Sequence, residues 1–128
     1  MKPLAPYAQL LQLRQDGELM IMPAHDGVIG RPGFLNGGAI AGLLEFTAFA
    51  ALRAAVGEDD TIAKPITVTV DYMRGGKLEE TRARGEVLRL GRRIANLEVR
   101  AWQGDETKPI ALARLNFLLE RPRPLSNR

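Results

Sequence analysis

Residues 34–57 read FLNGGAIAGLLEFTAFAALRAAVG, and no other stretch limits the fold as strongly. The run is apolar on almost every side, rich in alanine and long enough for a buried helix. It predicts a helix from about Gly37 to Val56, stopped by Gly57. Glu45 and Arg53 inside the run argue against a membrane span. A helix this apolar has to be covered around most of its circumference. One sheet face covers only part of it, so the pattern implies a second copy of the chain over the rest. The spacing Gly38-xxx-Gly42 would let a neighbour approach the helix backbone closely, although an alanine- and glycine-rich helix holds such spacings by chance.

The rest of the chain is read as one helical lead-in and a set of strands. PYAQLLQLR suits a short helix carrying Leu10, Leu11 and Leu13, and GELMIMPA a first strand closed by Pro23. HDGVIGRPGF, with three glycines and Pro32, is an irregular loop. After the helix the period changes to two. ITVTVDYM sets Ile66, Val68, Val70 and Tyr72 against Thr67, Thr69, Asp71 and Met73, a strand with one polar face. RGGK is a turn. EETRARGEVLRLG and RRIANLEVRAW are two strands joined near Gly91, the second with Ala95, Leu97, Val99 and Ala101 on one side. QGDETKP is a hairpin loop and IALARLNFLLE the last strand. Short connections imply antiparallel pairing. The expected fold is therefore α+β, with one long central helix laid on an antiparallel sheet of five to six strands. At 128 residues a single domain over 1–128 is expected, with 1–15 as the lead-in and 121–128 as a flexible tail.

Composition narrows the function classes. Hydrophobic residues make up 45% and charged residues 26%, the balance of a soluble globular chain. The absence of cysteine and the single His25 exclude a thiol nucleophile, a disulfide framework and a histidine or cysteine metal site, so no metal is expected. The first residues are too soon interrupted by charge for a signal peptide, which makes a cytoplasmic enzyme or binding protein the expectation. Net charge is only +3, yet eight of the eighteen basic residues fall between Arg74 and Arg100. Such a cluster can meet phosphates or simply be a solvated sheet face. With four Phe, two Tyr and one Trp, and no basic–aromatic interleaving, neither nucleic acid nor membrane is an expected partner.

The helix start and its acid carry the chemistry. A helix N-terminus offers unpaired N–H groups and the positive end of the dipole, and glycines there admit a substrate to the backbone. Gly37 and Gly38 can present N–H groups to a carbonyl oxygen that gains charge during acyl transfer, while Asn36 suits the N-cap. The competing reading of Asn-Gly-Gly is a turn and cap only. Glu45, among Leu43, Leu44, Phe46, Ala48 and Phe49, loses hydration when ionised, and that raises a carboxyl pKa towards the range of a general base or nucleophile. Its competing reading is an ion pair across an interface, or a solvated edge. Eight residues separate Gly37 from Glu45, roughly 12 Å along a helix. One carbonyl cannot touch both on the same helix, so a catalytic reading requires Gly37 of one subunit and Glu45 of another. His25 lies in the irregular loop, where a solvated histidine competes with a substrate contact. Asp59-Asp60 and Glu79-Glu80 read as loop and edge charges.

LNGGAIAGLLEFTAFAA resembles the His-Gly-Gly…Asp/Glu signature of the PaaI-type and 4-hydroxybenzoyl-CoA-type acyl-CoA thioesterases. ITVTVDYMRGG and VLRLGRRIANLEVRAWQGDE are also similar to that family, so the likeness spans most of the chain. The resemblance implies a hotdog fold, a homodimer or dimer of dimers, and hydrolysis of an acyl-CoA to a free acid and CoA, with CoA as part of the substrate and no other cofactor. By position Glu45 resembles the catalytic carboxylate and Gly37 the glycine whose N–H polarises the thioester carbonyl. Asn36 stands where the family has histidine, and Gly38 completes the pair. Arg92 and Arg93 fall where CoA phosphates are often met. The upstream Asn or Gln of the family falls on Gly30, and a small polar position at the end of the second strand falls on Arg74. Thr47, Thr67 and Thr69 remain as hydroxyl candidates for substrate. The departures favour, as a first rival, a non-catalytic hotdog protein binding acyl-CoA or another apolar ligand. A second rival is a hotdog hydratase or dehydratase, chemistry that usually wants a histidine with an acid, and His25 lies in the wrong setting for it.

Overall fold

Helix α2, Gly37–Val56, organises the structure, a computed structural model that describes residues 4–57 and 61–122. Its bounds are those the punctuation predicts. Gly57 ends it at φ 90°, with its N–H returned to the Arg53 carbonyl at 2.9 Å. The Arg53 guanidinium bonds the Gly57 and Thr61 carbonyls, placing positive charge at the negative end of the helix.

The helix lies on a six-stranded antiparallel sheet of β1 Arg14–Asp16, β2 Leu19–Met22, β3 Ile62–Tyr72, β4 Thr81–Leu90, β5 Ile94–Trp102 and β6 Ala111–Glu120. Their order across the sheet is β1-β2-β4-β5-β6-β3. Alternation decides the inner face. Ala95, Leu97, Val99 and Ala101 of β5 and Ala111, Ala113, Leu115, Phe117 and Leu119 of β6 are buried, together with Leu43, Leu44, Ala48 and Leu52 of α2. Small residues let helix and sheet approach. A Cβ at Gly85 would come within 3.0 Å of the Ala51 methyl and 3.3 Å of the Thr47 carbonyl. Phe49 meets Phe117 edge-on, with ring centroids 5.0 Å apart.

Two expectations need correction. The first strand is a hairpin: Gly17, at φ 60°, turns β1 back onto β2, so residues 14–15 of the lead-in already belong to the sheet behind a short α1, Pro6–Leu10. Second, β3 pairs with β6 and stands at the sheet edge, away from β4. RGGK does not close a hairpin. Residues 73–80 instead cross over the start of α2, held by Leu35 N–H to the Gly76 carbonyl (2.8 Å) and Leu78 N–H to the Gly33 carbonyl (3.1 Å). The Gln103 amide adds bonds to both the N–H and the C=O of Lys77. The close approach that the glycine spacing allows is made at Gly42, by α1 and its C-cap in the same chain. A Cβ there would stand 2.7 Å from the Tyr7 ring and 2.9 Å from Leu11.

The edge position leaves β3 largely bare. Val68, Val70 and Tyr72 share the helix side with Leu115, Ala113 and Ala111 of β6, yet only Val70 packs onto the core. Ile66, Val68 and Tyr72 are 56%, 42% and 54% exposed. At the C-terminal end Arg121 is engaged, donating to the carbonyls of Arg92 (3.0 Å) and Gly91 (3.2 Å). Residues 123–128 of the expected tail lie outside the described residues, as do Asp59 and Asp60.

Candidate active site

Asn36 caps α2 as its residue type predicts. Its Oδ1 accepts from the N–H of Gly38 at 2.7 Å and of Ala39 at 3.3 Å, and its own N–H bonds the Val28 carbonyl at 2.8 Å. The cap separates the two glycines. The Gly38 N–H is committed to Asn36, whereas the Gly37 N–H has no acceptor among the described residues. Gly37 alone of the pair thus offers a free donor at the positive end of the dipole. The carbonyls of both glycines receive hydroxyls, Tyr72 Oη to Gly37 at 2.8 Å and Tyr7 Oη to Gly38 at 3.5 Å.

Glu45 lies two turns further along. Leu43, Leu44, Thr47 and Ala48 turn to the sheet and are buried, while Glu45, Phe46 and Phe49 are half-buried. The full burial expected from its apolar neighbours is therefore not reached within one chain, because those neighbours face the sheet and Glu45 does not. The carboxylate has no hydrogen-bond or ion-pair partner among the described residues. That leaves the ion-pair reading no partner inside the described chain.

The remaining candidates divide. Thr47 is 2% exposed, and its hydroxyl donates to the Leu43 carbonyl at 2.6 Å, so it is a core residue of the helix–sheet contact with no free hydroxyl for a substrate. Thr67 and Thr69 pair with Asn116 and Arg114 on the sheet face away from α2. Arg74 is exposed just beyond β3, at the same end as Gly37. Arg92 and Arg93 lie at the β4–β5 turn, at the other end of the sheet. With Arg89, Gly91, Ile94 and Asn96 they line a cleft of about 430 Å³. From the Tyr72–Ala111 pair to the Ile94–Leu118 pair is seven residues of β6, roughly 23 Å. One chain does not bring these arginines to Gly37.

Gly30 explains its own departure from the family pattern. A Cβ there would stand 2.9 Å from the Asn36 Cα, so the loop admits no side chain at that position. His25 is a clip. Its Nδ1 accepts the Gly27 N–H at 3.1 Å, which leaves Nε2 to donate to the Leu11 carbonyl at 3.1 Å. It joins α1 to the 3₁₀ turn Asp26–Val28 and through Val28 to the cap. Tyr72, Tyr7 and Gln103 were not singled out by the sequence, which carries no local signal for contacts made 22 to 35 residues away.

Residues 32–110 match the family model described as the thioesterase superfamily. The chain belongs to the thioesterase superfamily. Its six-stranded sheet around one long helix is the hotdog fold. Among solved structures it is similar to a conserved protein of Pseudomonas aeruginosa, with 26% identity, TM-score 0.82 and coverage of 91% of this chain and 95% of that one. A mutant thioesterase of the same organism gives 26%, TM-score 0.78, and 91% and 86% coverage. A Bacillus halodurans protein solved with CoA gives 18%, TM-score 0.83, and 92% and 78%, a likeness of fold. No curated protein matches the chain. By family the chain is a thioester hydrolase.

Proposed function

We propose that the protein hydrolyses an acyl-CoA thioester at a site completed by two subunits, Gly37 coming from one and Glu45 from the other. The observation that carries this reading is the pair of unused groups on α2: a free amide at its N-terminus and an unpartnered, half-buried carboxylate eight residues on. The thioester oxygen accepts the Gly37 N–H, helped by the helix dipole. Glu45 takes a proton from water, whose oxygen attacks the carbonyl carbon. The tetrahedral intermediate collapses, the C–S bond breaks, and the proton passes to the CoA sulfur. Direct attack by the carboxylate would form an anhydride that water then opens, with the same products. The bound CoA of the Bacillus halodurans protein supports the substrate class.

Two features support self-association. Only 44% of the most apolar eighteen-residue window of α2 is buried within one chain. Beside it β3 is an eleven-residue edge strand with exposed Ile66, Val68 and Tyr72, the kind of edge that pairs with another chain. Release of free thiol from a panel of acyl-CoA substrates tests the reading. Saturable hydrolysis of at least one is expected, and no turnover of any leaves a binding protein.

Arg92 and Arg93 are assigned to the CoA phosphates, which lie at the far end of a long pantetheine arm from the thioester. Joint replacement by Ala is expected to raise KM at least about tenfold with a smaller change in kcat. The difference from wild type should narrow at high salt, where the arginine contacts are screened. An unchanged KM returns these residues to the solvated surface.

A further inference from the structure

We infer that Tyr72 is a positioning residue for the oxyanion donor, holding the Gly37 amide through the carbonyl of the same residue; the inference rests on the thioesterase reading above. Glycine is the residue least able to hold its own backbone still. A donor aimed at a developing charge is effective only when already oriented, since its worth comes from needing no reorganisation during the reaction. Gly37 therefore needs outside restraint on both peptide planes that flank it.

The structure provides both. The plane before Gly37 ends in the Asn36 carbonyl, which accepts from the N–H of Ala39 at 3.1 Å and of Ile40 at 3.2 Å. The plane after Gly37 is held at its two ends. Its N–H, that of Gly38, is bound by Asn36 Oδ1 at 2.7 Å, and its carbonyl by Tyr72 Oη at 2.8 Å. The Tyr72 ring also lies over Gly37, 3.5 Å from where a Cβ would stand. Tyr72 is 54% exposed, so its hydroxyl has water available and still spans from the sheet edge to this one carbonyl. The only other tyrosine, Tyr7, reaches the next carbonyl, that of Gly38, at 3.5 Å. Tyr72 closes β3, the strand whose bare edge is offered to a second subunit. The restraint on the donor thus comes from the element next to the proposed subunit contact.

A double-mutant cycle tests this. Tyr72→Phe keeps the ring and removes the hydroxyl. It is expected to lower kcat about fivefold to tenfold, the worth of one hydrogen bond, with KM within about twofold of wild type. Gly37→Pro removes the amide that Tyr72 is held to position. In that background Tyr72→Phe is expected to change kcat no further, because the two substitutions act through one donor. A merely structural tyrosine would lower activity by the same factor in both backgrounds, and that result overturns the inference. Wild-type kcat in Tyr72→Phe, with Gly37→Pro impaired, also overturns it and leaves the thioesterase reading intact. A wild-type protein that turns over no acyl-CoA removes that reading, and the positioning role falls with it.

Discussion

Glu45→Gln is expected to lose at least about 100-fold in kcat, the lower range for removing a general base, while the protein folds and melts as wild type does. The amide keeps the size and polarity of the side chain and removes its basicity. Folding should survive because the carboxylate makes no hydrogen bond or ion pair among the described residues, so the substitution breaks no bond described within the chain. An amide is also cheaper to bury than a carboxylate, should a second subunit cover the half-exposed side. Glu45→Asp should retain part of the activity, since the family to which the motif is similar uses either acid there. If Glu45 served as one half of an ion pair across an interface, the pattern would reverse. Gln would then lower Tm while activity per folded molecule stayed near wild type. Measuring kcat and Tm on one purified sample separates the two. A fully active, destabilised variant would take Glu45 out of the mechanism and favour the ligand-binding reading.

The parts of this fold that were legible in the sequence are those set by local chemistry. Asn36 at the cap, two glycines after it and Gly57 at the stop mark both ends of α2, and period-two alternation marks the buried side of β5. Alternation reports which way a side chain faces and carries no information on which strand lies next to it, so the edge position of β3 was hidden. The crossing over α2 that puts it there depends on Gly76. A Cβ at that position would come within 3.0 Å of Leu35 and Ile110, residues more than thirty positions away in the chain. Thr47 shows the opposite error. Two residues from Glu45 in sequence, it lies roughly 200° away around the helix, in the core. At the site itself, glycine and glutamate announced themselves by being out of place in an apolar run. The division of labour between Gly37 and Gly38 became visible only once the Asn36 side chain was seen to take one amide and leave the other.

A mixture of two crippled proteins should work where neither does alone. Gly37→Pro deletes the proposed oxyanion donor with little expected cost to the fold. Gly37 is the first residue of α2, where proline is favoured, and Asn36 before it is extended at ψ 133°, a conformation proline accepts in its predecessor. The lost N–H has no acceptor among the described residues, and the added Cβ has ordinary contact distance to Tyr72. Losing the donor is expected to lower kcat about 100-fold to 1,000-fold. If each site combines Gly37 of one subunit with Glu45 of the other, a heterodimer of Gly37→Pro and Glu45→Gln chains holds one site with both defects and one with neither. Such a heterodimer, isolated through a different affinity tag on each chain, should recover about half the wild-type kcat per dimer, because two-fold symmetry makes the sites equivalent. If instead both residues served one site within a chain, every site in the heterodimer would carry one defect, and activity would stay at the parental level. The two outcomes differ by a factor of about fifty or more, well beyond any error in tag separation or active-site titration. Recovery would also explain why α2 keeps a carboxylate and a free amide too far apart to meet one carbonyl: each helix serves two sites, giving its N-terminus to one and its middle to the other.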